Sequence, residues 1–212
     1  MDKSKNNSNS ADTLKAYERI YAESEQAYSS QPFFLVKKIH KYLQTGLVVD
    51  FGAGEGRNSV FLAEQSFLVE AIDFAAGAVK KLEEKIKKKS LNIRTKRADL
   101  SRLNLAGKFH VGVCTFVLHN LSATAAKKFI LKMQKHTEIG GVNVLACFTK
   151  QGYFFRKDPK TGNFFPSQTE LKKLYTGWKI HEINTKKIRL RPIDAAGKPL
   201  FGDCVVMLAQ KL

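Results

Sequence analysis

The stretch LVVDFGAGEG (residues 47–56) decides how the rest of the chain is interpreted. Residues 47–51 are apolar apart from Asp50, which is typical of a strand buried in a parallel sheet. The glycines that follow predict a tight turn at which a ligand can approach the backbone. A dinucleotide fingerprint, GxGxxG, would place its third glycine at position 57, which is Arg57. The pattern here is GxGxG, and no Gly-Lys-Ser/Thr follows, which excludes a P-loop.

Strands and helices alternate along the chain after this turn. Such alternation predicts βαβ units, right-handed crossovers and a parallel sheet. The last two strands are joined by the short turn DAAGKP (residues 194–199), so they must pair antiparallel. The predicted fold class is α/β, a Rossmann-like, mainly parallel seven-stranded sheet with one antiparallel strand and helices on both faces. The predicted elements are a helix at about 56–65, a strand at 67–73, a helix at 75–89, strands at 91–97 and 109–117, a helix from Ser122 to about His136, a strand opened by Gly140-Gly141, a helix near 167–175, and strands at about 178–190 and 200–211.

The residues before the first strand are predicted to be organised separately from the main domain, residues 47–212. Residues 1–10 (MDKSKNNSNS) are polar and low in complexity, which predicts a disordered tail. Residues 11–46 predict two helices that pack on the domain. The first, at 11–28, carries Tyr17 and Tyr21 in its apolar stripe, and the second begins at Pro32 and ends at Gly46.

The formal net charge of +17 is large for 212 residues. It permits two interpretations: an anionic partner such as RNA, bound through counterion release, or a solvated surface with a basic bias. Much of the excess lies in KKLEEKIKKKS (residues 80–90), where Glu83–Lys87 and Glu84–Lys88 form i,i+4 pairs typical of an ordinary surface helix. We therefore favour the second interpretation and keep nucleic acid as the alternative.

The sequence carries no sign of secretion, of a membrane partner or of a metal site. No apolar leader is visible and no window approaches the roughly 18 apolar residues of a membrane span, so a cytoplasmic protein is expected. Cys114, Cys147 and Cys204 lie in apolar runs without a CxxC pair. This favours reduced core residues over a zinc site or a disulfide framework.

Three acidic residues follow the first three strands of the predicted sheet. Asp50 lies near the end of the first strand, Asp73 ends the second and Asp99 follows the third. The carboxyl ends of parallel strands meet at one crevice, so these side chains are expected to line one ligand site.

S-adenosylmethionine (SAM) is the ligand whose chemistry fits this crevice. It has no phosphate, and its carboxylate suits the N–H groups of a helix N-terminus. Its ammonium and sulfonium suit Asp50, its ribose hydroxyls suit Asp73, and its adenine amino group suits Asp99, with Leu100 packed on the ring. Each residue could alternatively serve only a tight turn or a strand-end cap.

The sequence resembles the class I methyltransferases and, more narrowly, the tellurite-resistance (TehB-type) methyltransferases. The resemblance is carried by VVDFGAGEGRNSVFLAE (48–64), TFVLHNL (115–121), MQKHTEIGGVNVLA (133–146), SQTELKKLYTGWKI (167–180) and VVMLAQK (205–211). It implies the Rossmann-like methyltransferase fold, with SAM as cofactor and S-adenosylhomocysteine (SAH) as product. The cofactor-binding residues predicted from the motifs and the resemblance are Asp50, Gly52, Ala53, Gly54, Arg57, Asn58, Asp73, Phe74, Asp99, Leu100, Thr115 and Phe116.

The methyl acceptor is expected beneath the aromatic loop GYFFRKDPKTGNFF (residues 152–165), whose rings either exclude water or pack the loop onto the sheet. The TehB-type family carries a His-Arg pair between the last two strands, where this chain has Arg191-Pro192. That departure argues against an oxyanion acceptor that needs the imidazole. The predicted substrate-pocket residues are Tyr153, Phe155, Phe165 and Arg191.

His119, just after the fourth strand, is the candidate catalytic residue. It could take a proton from an acceptor, or it could be a loop residue that satisfies a backbone carbonyl, and we favour the structural role. A base is needed only for acceptors that carry a proton at neutral pH.

The predicted function is methyl transfer from SAM to a small-molecule acceptor, such as a chalcogen oxyanion or a thiol. The first alternative is an RNA methyltransferase, suggested by the charge. The segment Thr115-Phe116-Val117-Leu118 lacks the prolines of the adenine-N6 motif, which disfavours that alternative. The second is a non-catalytic SAM-binding protein, which the complete GxGxG pattern with Asp73 and Asp99 disfavours.

Overall fold

A computed structural model describes residues 4–193 and 198–212, with side chains for 11–190 and 198–212. Its strands are β1 Leu47–Phe51, β2 Leu68–Asp73, β3 Ile93–Arg97, β4 Phe109–Thr115, β5 Thr137–Phe148, β6 Trp178–Ile193 and β7 Pro199–Lys211. Its α-helices are α1 Ser4–Glu23, α2 Arg57–Glu64, α3 Ala76–Lys89, α4 Ala123–His136, α5 Tyr153–Lys157 and α6 Gln168–Leu174. Two short 3₁₀ segments cover Val36–Lys41 and Leu118–Asn120.

The seven strands form one sheet in the order β3-β2-β1-β4-β5-β7-β6. The first five strands are parallel, and β7 runs antiparallel between β5 and β6. This confirms the predicted α/β fold with one antiparallel strand. The chain order reverses between β1 and β4, and the crevice at such a switch point is where ligands bind in open α/β sheets.

Helices cover both faces of the sheet, because alternate residues of each inner strand point to opposite sides. Val48 faces an apolar cluster that includes Leu62 of α2 and Leu82 of α3. Its neighbour Val49 faces a second cluster, which includes Met133 of α4. Two buried layers therefore hold the carboxyl ends of β1, β2 and β4 in fixed positions beside one another.

The N-terminal helix begins earlier than the sequence predicts. The expected disordered tail spanned residues 1–10, whereas α1 begins at Ser4. Once the apolar stripe of residues 14–21 has docked, each residue added upstream gains a backbone hydrogen bond without a new nucleation step. Helix therefore extends into a segment whose composition alone predicted none.

The second predicted helix, from Pro32 to Gly46, is wrong in type. The structure has a 3₁₀ segment, Val36–Lys41, in its place. The buried side chains here include Phe33, Val36 and Ile39, which are three residues apart, as well as Leu35. A 3₁₀ helix places positions i and i+3 directly above one another, whereas an α-helix of 3.6 residues per turn offsets them.

Two further boundaries also differ from the prediction. Strand β5 begins at Thr137, directly after α4, and not at Gly140. The aromatic loop contains a short helix, α5. The turn predicted at 194–199 falls mostly outside the described residues, but the antiparallel pairing of β6 with β7 is confirmed. Within the described chain, no helix is long and apolar enough to cross a membrane.

Candidate cofactor and acceptor site

The glycine turn is tied to the end of β2. Gly52, Gly54 and Gly56 have φ values of 73°, 56° and 82°, in the left-handed region that favours glycine. The backbone N–H of Gly52 donates to the carbonyl of Ile72 at 2.7 Å, and Ala53 donates to the same oxygen at 3.0 Å. The turn therefore lies against β2, as the crevice hypothesis requires.

Asp73 joins the turn to the start of α3. Its Oδ2 accepts the backbone N–H of Gly54 at 2.8 Å, and its Oδ1 accepts that of Ala75 at 3.0 Å. Burial raises the pKa of this carboxyl, and these N–H donors oppose that shift. Each oxygen keeps a second lone pair for a further donor.

Asp50 has a buried oxygen atom without a partner. The side chain is 1% exposed, and its Oδ2 accepts the Ser59 hydroxyl at 2.6 Å. Oδ1 has no hydrogen-bond partner in the part of the chain whose side chains are described. Burial raises the pKa of Asp50 to about 6, while the charge of Arg57 acts in the opposite direction. An unpaired buried carboxylate oxygen costs about 1–3 kcal/mol, so a donor or cation placed there would be stabilising.

Both ends of the Asn58 side-chain amide are already occupied by the protein. Its Oδ1 accepts the backbone N–H of Phe33 at 2.9 Å, and its Nδ2 donates to the Thr115 hydroxyl at 3.1 Å. In this structure the side chain links the segment before β1 to the end of β4. Asn58 was predicted as a cofactor contact; the geometry shows a structural connection at that position.

Glu55, which the sequence reasoning did not single out, anchors residues 24–34, here called the strap. Its carboxylate accepts the backbone N–H of Ala27 at 3.0 Å and that of Tyr28 at 3.3 Å. Lys81 pairs with Glu55 at 3.3 Å and also donates to the carbonyl of Ser24. The sequence does show an acidic residue between two glycines of the turn, which could have drawn attention to Glu55. Its partners could not be predicted, because they lie 27 and 28 residues away in sequence.

Helix α1 lies over the glycine turn and contacts it through Tyr21. The Tyr21 hydroxyl lies 2.9 Å from the position that a Cβ on Gly54 would take. The Tyr17 hydroxyl accepts from the Asn120 amide at 3.2 Å. Glu18 accepts the N–H groups of Ala76 and Gly77 at 2.6 and 3.0 Å, at the N-terminus of α3. The helix therefore connects both rims of the crevice.

Asp99 and Leu100, the residues after β3 that were predicted to contact the adenine, differ in how enclosed they are. Asp99 is half-buried, and its Oδ1 accepts the N–H of Ser101 at 2.8 Å in a local turn. Leu100 is buried in the apolar cluster that contains Phe51 and Ile72. Both residues lie at the crevice edge of the sheet, and Leu100 also has a packing role.

Phe116 adopts a strained conformation at the end of β4. Its φ is 60°, a region that few residues other than glycine occupy. Its ring lies 5.5 Å from that of Phe33 and 5.1 Å from that of Phe148, and the Arg57 guanidinium lies 5.7 Å from its centroid. Such strain clusters at functional sites. Here it places one ring between the glycine turn and the aromatic loop.

His119 lies in an aromatic box, defined here as Phe148, Phe154 and Phe165. Its ring centroid is 4.8, 5.3 and 6.2 Å from theirs, respectively. The residue is 8% exposed, and its Nδ1 has no hydrogen-bond partner among the described residues. Burial lowers the pKa of His119 to about 4, so the imidazole is neutral at pH 7. The structural role that we favoured, a bond to a backbone carbonyl, is not made by Nδ1.

The predicted pocket residues flank this box. Tyr153 and Phe155 belong to α5, and the Phe155 ring lies 5.4 Å from that of Phe165. Tyr153 packs edge-on against Phe154 at 5.5 Å. The fourth, Arg191, has a side chain outside the described residues.

The family of this chain follows from comparison with known proteins. A family model described as tellurite resistance protein TehB matches residues 25–208. The chain belongs to the TehB family. This membership confirms the predicted family, the predicted class of enzyme, a methyltransferase, and the predicted cofactor, SAM.

Individual TehB relatives agree with this assignment. A protein of Haemophilus influenzae (strain 10810) named "Probable S-adenosyl-L-methionine-dependent methyltransferase TehB" is 27% identical over 208 residues, which are 95% of this chain and 71% of that protein. The crystal structure of TehB from Haemophilus influenzae is similar with a TM-score of 0.76 and 27% identity. That match covers 85% of this chain and 62% of the crystallised one, so the chain spans less than two thirds of its length.

A more distant structure shows the same fold. The N-methyltransferase NodS from Bradyrhizobium japonicum WM9, in complex with SAH, is 18% identical, with a TM-score of 0.67. The match covers 94% of this chain and 98% of that one. The whole described domain therefore has the methyltransferase architecture.

Proposed function

We propose that this chain transfers the methyl group of SAM to a small-molecule acceptor, a chalcogen oxyanion or a thiol. The observation that carries the proposal is the Oδ1 atom of Asp50, which is buried at the base of the glycine turn and has no partner among the side chains that the structure describes. SAM carries an ammonium and a sulfonium, and a buried carboxylate favours a cation close to it. When bound, SAM supplies an electrophilic methyl group on a cationic sulfur.

The remaining residues of the crevice support the same ligand. The free lone pairs of Asp73 are suited to the ribose hydroxyls, and the N-terminus of α2 is suited to the carboxylate. Asp99, whose side chain is half-buried, is suited to the adenine amino group. Asn58 acts indirectly, by fixing the distance between α2 and Thr115.

The chain contributes to methyl transfer mainly through positioning and exclusion of water. In-line displacement requires the acceptor and the methyl group to be held close together and aligned. Phe116 lies at the junction of the two halves of the site, with the aromatic box on the acceptor side. The rings exclude water and present π-faces that tolerate a nearby cation.

Two observations bear on the acceptor class. The family model that matches this chain is described as tellurite resistance protein TehB, which supports a chalcogen acceptor. Arg191-Pro192 stands where we expected a His-Arg pair, so an oxyanion would lack that imidazole. We also propose a reducing, cytoplasmic setting, because Cys114, Cys147 and Cys204 are buried and unpaired.

The RNA alternative rests on the net charge of +17. Part of that charge is used internally: Lys81 and Lys85 bind Glu55, and Lys211 donates to the carbonyls of Gln134 and Thr137. An electrophoretic-shift titration with RNA against salt tests this alternative. Binding that persists at physiological salt would favour it.

Isothermal titration with SAM tests the proposed cofactor site. We expect the wild-type chain to bind SAM, Asp73→Ala to lose at least about tenfold in affinity, and Asp50→Asn to weaken binding. Glu84→Ala is the matched control, because Glu84 is an exposed acid on the surface of α3. Absence of binding to the folded wild type would contradict the proposal.

A further inference from the structure

The aromatic box around His119 differs from ordinary core packing in one respect. Two of its rings, Phe148 and Phe165, are buried, and Phe154 is partly exposed on α5. At the centre lies an imidazole whose Nδ1 has neither a water-accessible surface nor a protein partner within the described residues. A core of this kind is ordinarily filled by a fourth apolar side chain, because an unpaired buried polar atom costs about 1–3 kcal/mol.

His119 lies on the acceptor side of the site, and its Nδ1 faces the interior of the aromatic box. The residue lies on the 3₁₀ segment Leu118–Asn120, four residues after the end of β4. Phe148, which contacts both His119 and Phe116, connects the box to the strained turn at the crevice. An acceptor in this box would therefore approach the crevice from the side opposite Asp73.

Two cations in this region contact rings that lie outside the box. The Lys150 ammonium lies 5.9 Å from the ring centroid of Phe155, and Arg57 lies against Phe116 on the side of the glycine turn. Arg156 is exposed. Among the described residues, the cation–π contacts of this region involve Phe155 and Phe116 and none of the three box rings. Moving an anion into such surroundings is unfavourable, because its solvation is lost without a compensating cation.

We propose that Nδ1 of His119 receives the proton of a small, neutral thiol that is held in the aromatic box during methyl transfer. This inference rests on the proposed function and narrows its acceptor from two chemical classes to one. Sulfur is soft and polarizable and packs favourably against aromatic rings. A thiol with a pKa near about 8.5 is mostly protonated at pH 7, so it enters the box as a neutral molecule.

The proposed step balances in atoms and charge. A lone pair of the thiol sulfur forms the new carbon–sulfur bond, and the bond between the methyl group and the sulfonium breaks, with its electron pair remaining on the leaving sulfur. The acceptor proton passes to Nδ1, which gives a methyl thioether, SAH and an imidazolium. Because burial lowers the pKa of His119, the neutral imidazole is the favoured form once the products leave the box.

The neutral form of His119 also avoids an electrostatic repulsion with the cofactor. A cationic imidazole would repel the sulfonium of SAM, whereas the neutral ring places no like charge beside it. The proton is transferred only as the thiol sulfur gains positive character, when it becomes a strong acid. His119 thus acts as a base within the step, without deprotonating the thiol beforehand.

The test compares three acceptors in the presence of SAM labelled in its methyl group. These are 2-mercaptoethanol as a neutral thiol, 2-mercaptoethanesulfonate as an anionic thiol of similar size, and selenite as an oxyanion. We expect the wild-type chain to methylate the neutral thiol with a kcat/KM at least about tenfold above that for the anionic one. Efficient methylation of selenite with no reaction on 2-mercaptoethanol would overturn the proposal.

Variants at position 119 separate proton acceptance from packing. His119→Phe keeps a ring in the box and is expected to lower kcat/KM by about 100-fold. His119→Gln keeps a hydrogen-bond acceptor but cannot take the proton, so kcat is expected to fall while KM stays within about threefold. His40→Phe, the same change at an exposed histidine, is the control. Wild-type activity in folded His119→Gln would also overturn the proposal.

Cofactor binding distinguishes failure of this inference from failure of the proposed function. SAM affinity is expected to stay within about twofold in both variants at position 119, because the box lies beyond the crevice. If the wild type binds SAM but methylates only oxyanions, the inference about His119 fails alone. If the wild type does not bind SAM, the proposed function fails first.

Discussion

The Asp73 carboxylate accepts the backbone N–H of Gly54 at 2.8 Å, so the end of β2 determines the shape of the glycine turn. Its other oxygen holds Ala75 at the start of α3. One side chain thereby fixes two backbone segments at the crevice. Its loss would affect both the fold and the cofactor site.

We expect Asp73→Asn to weaken SAM binding by at least about tenfold and to lower the free energy of unfolding by about 1–3 kcal/mol. The amide keeps the shape of the carboxylate, but its NH₂ group must face a backbone N–H donor, either Gly54 or Ala75. Calorimetric titration and urea unfolding measure the two effects. Unchanged stability together with unchanged affinity would contradict this role of Asp73.

Gly56 allows α2 and α3 to approach closely, and Gly56→Ala is expected to be strongly destabilising. Its φ is 82°, and an added Cβ would lie 2.3 Å from Cδ1 of Leu82. Gly162→Ala is the matched control: its φ is 66°, but nothing lies within 4 Å of the added atom. Both variants carry the left-handed strain of about 1–2 kcal/mol, and only Gly56→Ala adds about 1–3 kcal/mol of overpacking.

Thermal unfolding of the two glycine variants side by side isolates the steric contribution. Gly56→Ala should show the lower Tm. Equal Tm values would mean that Leu82 moves aside without cost.

The strap is held to the glycine turn by Glu55, so Glu55→Ala is expected to release it. Three hydrogen bonds to the N–H groups of Ala27 and Tyr28 are lost, as is the ion pair with Lys81. We expect faster proteolytic cleavage within residues 24–34 and a loss of SAM affinity. Glu25→Ala, at an exposed acid in the same segment, should change neither. Slow cleavage in Glu55→Ala would show that α1 alone holds the strap in place.

SAM affinity is expected to fall as the pH is lowered through about 6. Burial raises the pKa of Asp50 to about 6, and only the ionised carboxylate attracts a cation. Arg57 and Asp73 face the same carboxyl with opposite effects on its pKa. At pH 5 most of the Asp50 side chains in the free protein carry a proton, so binding should be up to about tenfold weaker than at pH 7.

Titrations between pH 5 and 8 check this dependence. Asp50→Asn should bind SAM weakly and with little pH dependence. A pH dependence that persists unchanged in Asp50→Asn would assign it to another group, such as Asp73.

The positions of the glycine turn and of the acids of the crevice could be predicted because they are local to the strand ends. GxGxG after a buried strand and Asp73 at the end of the next strand follow directly from strand periodicity. The cofactor contact of Asn58 stays a prediction, whereas its hydrogen bond with Phe33 was not foreseen, because Phe33 lies 25 residues away and contributes only a backbone N–H. Every residue except proline has a backbone N–H, so the residue type does not show which one will act as the donor.

The aromatic box was predicted only in part, for a related reason. Phe165 and His119 were singled out, whereas Phe148, which ends β5, was interpreted only as part of a strand. The 3₁₀ segment Val36–Lys41 was missed because Leu35, Ile39 and Leu43 also fit an α-helical stripe, and the choice between the two depends on what the segment packs against.

The position of β7 between β5 and β6 has a consequence for the order of folding during synthesis. Strand β6 is made before β7, yet in the described part of the sheet β7 is the strand with which it pairs. The five parallel strands can assemble while residues 178–193 still lack β7, the strand with which they pair in the complete sheet. The last part of the sheet therefore forms only when residues 199–211 leave the ribosome, and until then the edge of β5 is open to pairing with other chains.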